Sequence, residues 1–321
     1  MASDDTALLT IVIPTYNRKE LLLKAVNSVI DQQVPRLIIH IYDNCSTDGT
    51  DKMVQTLMGV YPNISYTQRK SNIGSLANYS DAIRSVKTPF LMSLADDDWL
   101  LAGGMRLLLD TILCDETLGA VVSQTIHQNE QDEILTINPG NDWEYKRYSP
   151  QEFIPLWVEN GHFEWSSIIF RREALEVACV PDISTDLVWD VDLQLQVFSR
   201  FPVKLLKSQT AVYLIHSDQS SRQVTFQKFL GQLTMLERAI ELSNNNLPVY
   251  HGWIIKFLND WFDRLAYEVA YHASIKHFLM SIFKICKGPF EDRIILRYVW
   301  KWTHFKLRIM KSKFIPRNEI P

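Results

Sequence analysis

The stretch Leu9-Thr10-Ile11-Val12-Ile13-Pro14-Thr15-Tyr16-Asn17 decides how the chain is read. Residues 9–14 are a short β-branched run closed by a proline, the pattern of a strand buried in a parallel sheet. A helix is expected next, because Leu21, Leu22, Ala25, Val26, Val29 and Ile30 recur at helical spacing. Residues 37–42 read as a second strand, 50–60 as a helix and 64–68 as a third strand. A helix over 78–86 and a fourth strand over 90–95 follow. Strands alternating with helices imply a Rossmann-like, mostly parallel α/β sheet with helices on its faces. In such sheets ligands lie beyond the carboxyl ends of the strands. Polar clusters follow three of these strands: Thr15-Tyr16-Asn17, Asp43-Asn44 and Asp96-Asp97-Asp98. They are expected to meet on one edge.

The acidic triplet carries the chemistry. Carboxylates clustered past an apolar strand are costly unless a positive partner neutralises them. Hard divalent cations such as Mg²⁺ or Mn²⁺ take oxygen ligands, usually carboxylates completed by phosphate oxygens. A metal–diphosphate site is one reading of the triplet, and a solvated acidic turn capping the next helix is the other. Asp43, at the mouth of the second strand, is placed to accept a hydrogen bond from a base N–H or a ribose hydroxyl. Ser46, Thr47 or Asp48 is expected to cap the following helix.

Composition narrows the classes. An apolar fraction of 46% with 22% charged residues fits a globular chain and excludes disorder throughout. Residues 1–250 carry 20 basic and 31 acidic side chains, whereas 251–321 carry 13 and 6. From Arg293 to Arg317 there are eight basic residues and no acidic one. That asymmetry points to an anionic membrane surface or a nucleic acid near the C-terminus. The acidic front and the lack of a nucleic-acid motif argue against the second. Cys45, Cys114, Cys179 and Cys286 show no metal or redox spacing and read as free thiols of a reducing compartment. Without a secretory signal or an apolar run of roughly 18 residues, a cytoplasmic protein is expected, attached peripherally to the inner membrane face.

Four segments in order, Ile-Val-Ile-Pro-Thr-Tyr-Asn-Arg (11–18), Asp-Asn-Cys-Ser-Thr-Asp-Gly-Thr (43–50), Ser-Asn-Ile-Gly-Ser-Leu-Ala-Asn (71–78) and the triplet with Trp99, resemble the inverting glycosyltransferases of family 2. The resemblance implies a GT-A fold over residues 1–222, followed by a helical region, 223–321, basic at its end. It implies a metal-dependent transfer of a sugar from a nucleoside-diphosphate donor, UDP- or dTDP-linked, to a saccharide or lipid-linked saccharide acceptor in cell-surface polysaccharide synthesis. Pro14, Thr15, Asn17, Asp43, Asn72, Gly74, Asp96 and Asp97 would line the nucleotide pocket. Asp96 and Asp98 would form the metal-binding Asp-x-Asp element, with His216 as a third ligand or a diphosphate contact.

The family's catalytic base lies in a Glu-Asp pair, matched here by Trp189-Asp190. Asp190 is the candidate base, with Asp192 and Asp186 as rivals. The missing Glu motivates the alternative of a catalytically degraded nucleotide-sugar-binding subunit. Trp157, His162, Glu164 and Trp165 are read either as an acceptor platform or as plain core aromatics and their neighbours. From Phe226 onward the apolar spacing predicts helices, the last from about Arg293 to Lys311, suited to an anionic bilayer.

Overall fold

The computed structural model describes residues 7–140, 143–160, 162–177, 189–217 and 235. The chain divides into two compact units, Met1–Ile183 with Trp189–Gln219, and Ser184–Val188 with Ser220–Pro321. The helices expected from Phe226 to Lys311, and Asp186, lie outside the described residues.

In the first unit, β1 (Leu9–Thr15) is buried along its whole length, as its apolar run demands. It pairs in parallel with β2 (Leu37–Asp43) on one side and β4 (Phe90–Ser93) on the other. β3 (Ile64–Gln68) extends the parallel set beyond β2. Helices α1 (Lys19–Ile30), α2 (Thr50–Val60) and α3 (Ser75–Ser85) connect these strands. The chain runs outward from β1 to β3, then returns to β4 on the opposite flank. Strand order therefore reverses at β1, the kind of position beyond whose carboxyl ends ligands bind in open α/β sheets.

The sheet continues past β4. Its members are β5 (Trp99–Leu100), β6 (Ala120–Asn129), β7 (Ile134–Asn138), β8 (Arg147–Tyr148), β9 (Ile168–Arg171) and β10 (Val203–Ile215), in the order β3-β2-β1-β4-β9-β6-β10-β5. β7 pairs with β6, and β8 with β10. β10 lies parallel to β6, while β9 runs antiparallel between β4 and β6. The alternation read over 9–95 is thus correct for the parallel half; β7 and β8 arise in a polar, turn-rich stretch with no strand signal. β4 stops at Ser93 rather than Ala95, and α3 starts early, at Ser75, after Gly74 with φ +86°.

One core packs Leu22, Ala25, Val26 and Val29 of α1 and Met105, Leu108 and Ile112 of α4 (Gly104–Leu113) with the β1 region. α4 sits close because its first residue lacks a side chain: a Cβ on Gly104 would lie 2.7 Å from that of Thr210 on β10. Trp143, Tyr148, Phe153, Phe163 and Phe198 form an aromatic cluster. Trp157 of α5 (Pro150–Asn160) is 1% exposed, and Trp165 is buried as well. Both are core aromatics, not sugar platforms. α6 (Arg172–Val177) and α7 (Trp189–Phe198) complete the described helices, none of which is long and apolar enough to cross a membrane.

Gly49 is the N-cap residue of α2, and Asp48 just before it supplies the capping side chain. Its Oδ1 accepts the Thr50 N–H and hydroxyl at the start of α2, and its Oδ2 accepts the Lys19 N–H at 2.9 Å at the start of α1. One carboxylate therefore serves two helix N-termini, where negative charge is favoured. Burial works against its charge, but these hydrogen bonds hold its pKa below the usual carboxylate value. Asp48→Ala should destabilise the protein by about 1 kcal/mol in urea unfolding at pH 7. Because the folded pKa is the lower one, that difference should shrink as pH falls through it.

Candidate active site

The loops beyond β1, β2 and β3 are tied together by side chains. Asn17, at φ 53°, turns the chain from β1 towards α1, a conformation asparagine tolerates better than most residues. Its N–H donates to Ser46 Oγ at 2.8 Å, and its Oδ1 accepts the Thr47 N–H at 2.8 Å. Asp43, fully buried at the end of β2, accepts the Ser46 N–H at 2.8 Å and the Tyr66 hydroxyl at 2.5 Å. Burial and then that bond to Asp43 push the Tyr66 pKa up, so the phenol keeps its proton. Asn44 Nδ2 donates to Asn72 Oδ1 at 2.9 Å, and the same oxygen accepts the Gly74 N–H. Thr15, Asn17, Asp43, Asn72 and Gly74 thus belong to one connected rim, with Pro14 in the strand beneath. Asp43 is where sequence placed it, and its carboxylate is engaged in anchoring its own loop.

The acidic triplet closes this rim from the β4 side. Asp96, Asp97 and Asp98 are 6%, 9% and 2% exposed, so the reading of a solvated acidic turn does not hold. Asp96 accepts the Thr15 hydroxyl at 2.7 Å and Arg18 Nη1 at 3.0 Å. Asp97 Oδ2 accepts the same Arg18 nitrogen at 2.7 Å and faces His216 Nε2 at 3.0 Å. Asp98 turns the other way, accepting the Ser166 hydroxyl and, at 3.2 Å, the Leu214 N–H. Asp96 and Asp97 therefore share Arg18, while Asp98 has partners of its own. Arg18 and Ser166 were missed by the sequence reading. Arg18 had a visible signal, being the cation directly after the polar loop of β1.

Burial, then the neighbouring Asp97 charge, raises the Asp96 pKa to about 6, although Arg18 and Thr15 pull it down. Burial and Asp97 likewise raise Asp98 well above a normal carboxylate, against the Ser166 bond. The cluster is therefore short of positive charge, and its donor set of carboxylate oxygens with an imidazole nitrogen fits a hard divalent cation. Among the described residues no three His, Cys, Asp or Glu side chains converge in ligand geometry. His216, expected as a ligand together with Asp96 and Asp98, faces Asp97 between them in sequence.

Asp190 stands in the first turn of α7, half-buried, with Oδ1 accepting the Val191 N–H at 2.8 Å. It is not tied into the rim by any of these bonds. Its rival Asp192 is 1% exposed and accepts from Gln196 at 3.0 Å, a core position unsuited to meeting an acceptor. α7 is pinned to the segment before β9 by Gln194, which bonds both the N–H and the C=O of Phe163. Glu164 is held by His127 at 2.8 Å and by Asn138 at 2.6 Å, while His162 is exposed.

The Asp96 shift has a defined sign. The folded protein holds this proton more tightly than the unfolded chain, so stability from this group falls as pH rises from about 4 to about 6. Without added metal, Asp96→Asn should be more stable than the parent at pH 7.5, by on the order of 2 kcal/mol, with a smaller gain at pH 5. Thermal unfolding at the two pH values checks this.

Chondroitin synthase of Escherichia coli is 30% identical over 215 residues, covering 67% of this chain and 30% of that protein. Abequosyltransferase RfbV of Salmonella typhimurium is 32% identical over 118 residues, 34% of this chain and 35% of its own. The chain thus spans about a third of these relatives. The crystal structure of S. aureus TarS 1-349 in complex with UDP-GlcNAc aligns with TM-score 0.64 at 15% identity, over 86% of this chain and 79% of that one. Mannosyltransferase PcManGT from Pyrobaculum calidifontis, in complex with GDP-Man and Mn2+, aligns with TM-score 0.57 at 14% identity, over 93% and 86%. These two likenesses are of fold alone, a GT-A arrangement. The family profile described as Glycosyl transferase family 2 matches residues 10–178, more than half the chain, and the chain belongs to that family.

Proposed function

We propose that this chain is an inverting, metal-dependent glycosyltransferase that moves a sugar from a UDP- or dTDP-linked donor to a hydroxyl of a saccharide or lipid-linked saccharide. The observation that carries the reading is the convergence of Asp96, Asp97 and His216 on the rim formed by Thr15, Asn17, Asp43, Asn72 and Gly74. The solved neighbours bound to UDP-GlcNAc, or to GDP-Man with Mn2+, support a nucleotide-sugar donor and a divalent ion. A relative from Campylobacter jejuni carries the name GalNAc(5)-diNAcBac-PP-undecaprenol beta-1,3-glucosyltransferase, and supports a lipid-linked acceptor and attachment at a membrane face. The same set of relatives supports a place in surface-polysaccharide synthesis.

Asp97 and His216 would hold Mn²⁺ or Mg²⁺, with Asp96 and Asp98 beside them. Such an ion stabilises the charge that develops on a departing nucleoside diphosphate. The protein's own groups do the rest. The zipped loops fix the base and ribose end of the donor, so that the anomeric carbon is presented in one orientation. Asp190, accessible at the start of α7, takes the proton from the acceptor hydroxyl as that oxygen attacks the anomeric carbon from the face opposite the diphosphate.

Three measurements test this. Melting temperature should rise with UDP or dTDP only when Mn²⁺ is present, and Asp97→Ala should abolish that rise in a folded protein. Asp190→Asn should lower kcat by on the order of 10³ while leaving the ligand-induced rise intact. If Asp190→Asn transfers sugar at the parent rate, Asp190 is not the base. If the parent binds UDP and Mn²⁺ but turns over no acceptor or water, the chain is the degraded binding subunit instead.

A further inference from the structure

Three carboxylates lie side by side under cover, and the cation that meets two of them is Arg18. One nitrogen, Nη1, reaches Asp96 Oδ1 at 3.0 Å and Asp97 Oδ2 at 2.7 Å. The second of these oxygens is also the atom facing His216 Nε2 at 3.0 Å. A divalent ion bound by Asp97 and His216 would therefore take an oxygen that Arg18 now occupies. Metal–oxygen bonds are about 2.0–2.2 Å for such ions, and two positive groups crowded onto one oxygen repel strongly at low local dielectric.

Arg18 is well placed to move elsewhere. It is the N-cap residue of α1, at the positive end of that helix, and its side chain is 28% exposed. Guanidinium is a planar fork suited to phosphate oxygens as much as to carboxylates. A diphosphate arriving with a divalent ion offers it new oxygens as it gives up the old ones.

We propose that Arg18 holds the place of the divalent cation on Asp96 and Asp97, and passes to the donor's diphosphate when that cation arrives. Metal and nucleotide then bind as a coupled pair: the ion must displace Arg18 from Asp97, and a diphosphate that comes with the ion supplies the guanidinium with new acceptor oxygens. The inference rests on the transferase reading above and adds a residue and an order of events to it.

The test measures binding rather than turnover, on the full chain. Mn²⁺ alone is titrated by electron paramagnetic resonance, and UDP, dTDP and GDP are titrated by calorimetry with Mn²⁺ saturating. Arg18→Gln should bind Mn²⁺ alone about tenfold more tightly than the parent, and UDP with Mn²⁺ about tenfold more weakly, so that the coupling between the two ligands collapses. Arg18→Lys keeps the charge without the fork, and should stay near the parent for Mn²⁺ while losing part of the UDP affinity. It carries the same test should Arg18→Gln fail to fold by circular dichroism. Equal or weaker Mn²⁺ binding in Arg18→Gln, or in Arg18→Lys equal UDP binding, overturns the role of Arg18 alone. A parent that binds none of the three nucleotides with Mn²⁺ removes the transferase reading as well, and this role with it.

Discussion

Burying three consecutive carboxylates past β4 is the constraint around which the candidate site is organised. An uncompensated carboxylate under cover is driven towards its neutral form, and Asp96, at about 6, is part of the way there. What prevents collapse to neutrality is a ring of partners drawn from separate parts of the fold. Thr15 and Arg18 come from the end of β1, Ser166 from the turn before β9, and Leu214 and His216 from the end of β10. The sheet order brings these elements into reach. β1 lies beside β4, and β9 lies beside β4 in turn.

The rest of the rim serves rigidity. Asn17, Ser46, Asn44 and Asn72 each spend a side-chain hydrogen bond on a neighbouring loop, and Asp43 anchors its own. Asp48 fixes the starts of α1 and α2 together. Loops set in this way by packing and hydrogen bonds hold the polar edge in one arrangement. The cost falls on the acidic cluster, where burial works against the charge of Asp96 and Asp98.

Much of this was legible along the chain. Apolar runs at the two spacings marked β1, α1, β2, α2, β3 and β4 to within a few residues, because local burial sets that pattern. The polar clusters after the strands converge as expected, since parallel connections leave their carboxyl ends on one edge. Trp157 and Trp165 were open to two readings, because an aromatic in isolation looks the same whether it packs in a core or faces a sugar. β7 and β8 gave no signal, as short edge strands take their stability from a partner strand rather than from their own pattern.

The one-dimensional pattern was thus sufficient for the parallel half of a mixed α/β sheet, a polar edge and an acidic turn upon it. It could not say which carboxylate faces what. Asp97 meets His216 across 119 residues, Asp96 meets Thr15 across 81, and Asp98 meets Ser166 across 68. Those pairings are set by strand order and by the direction each residue of a turn happens to face. Neither is encoded in spacing, because both depend on distant segments packing first.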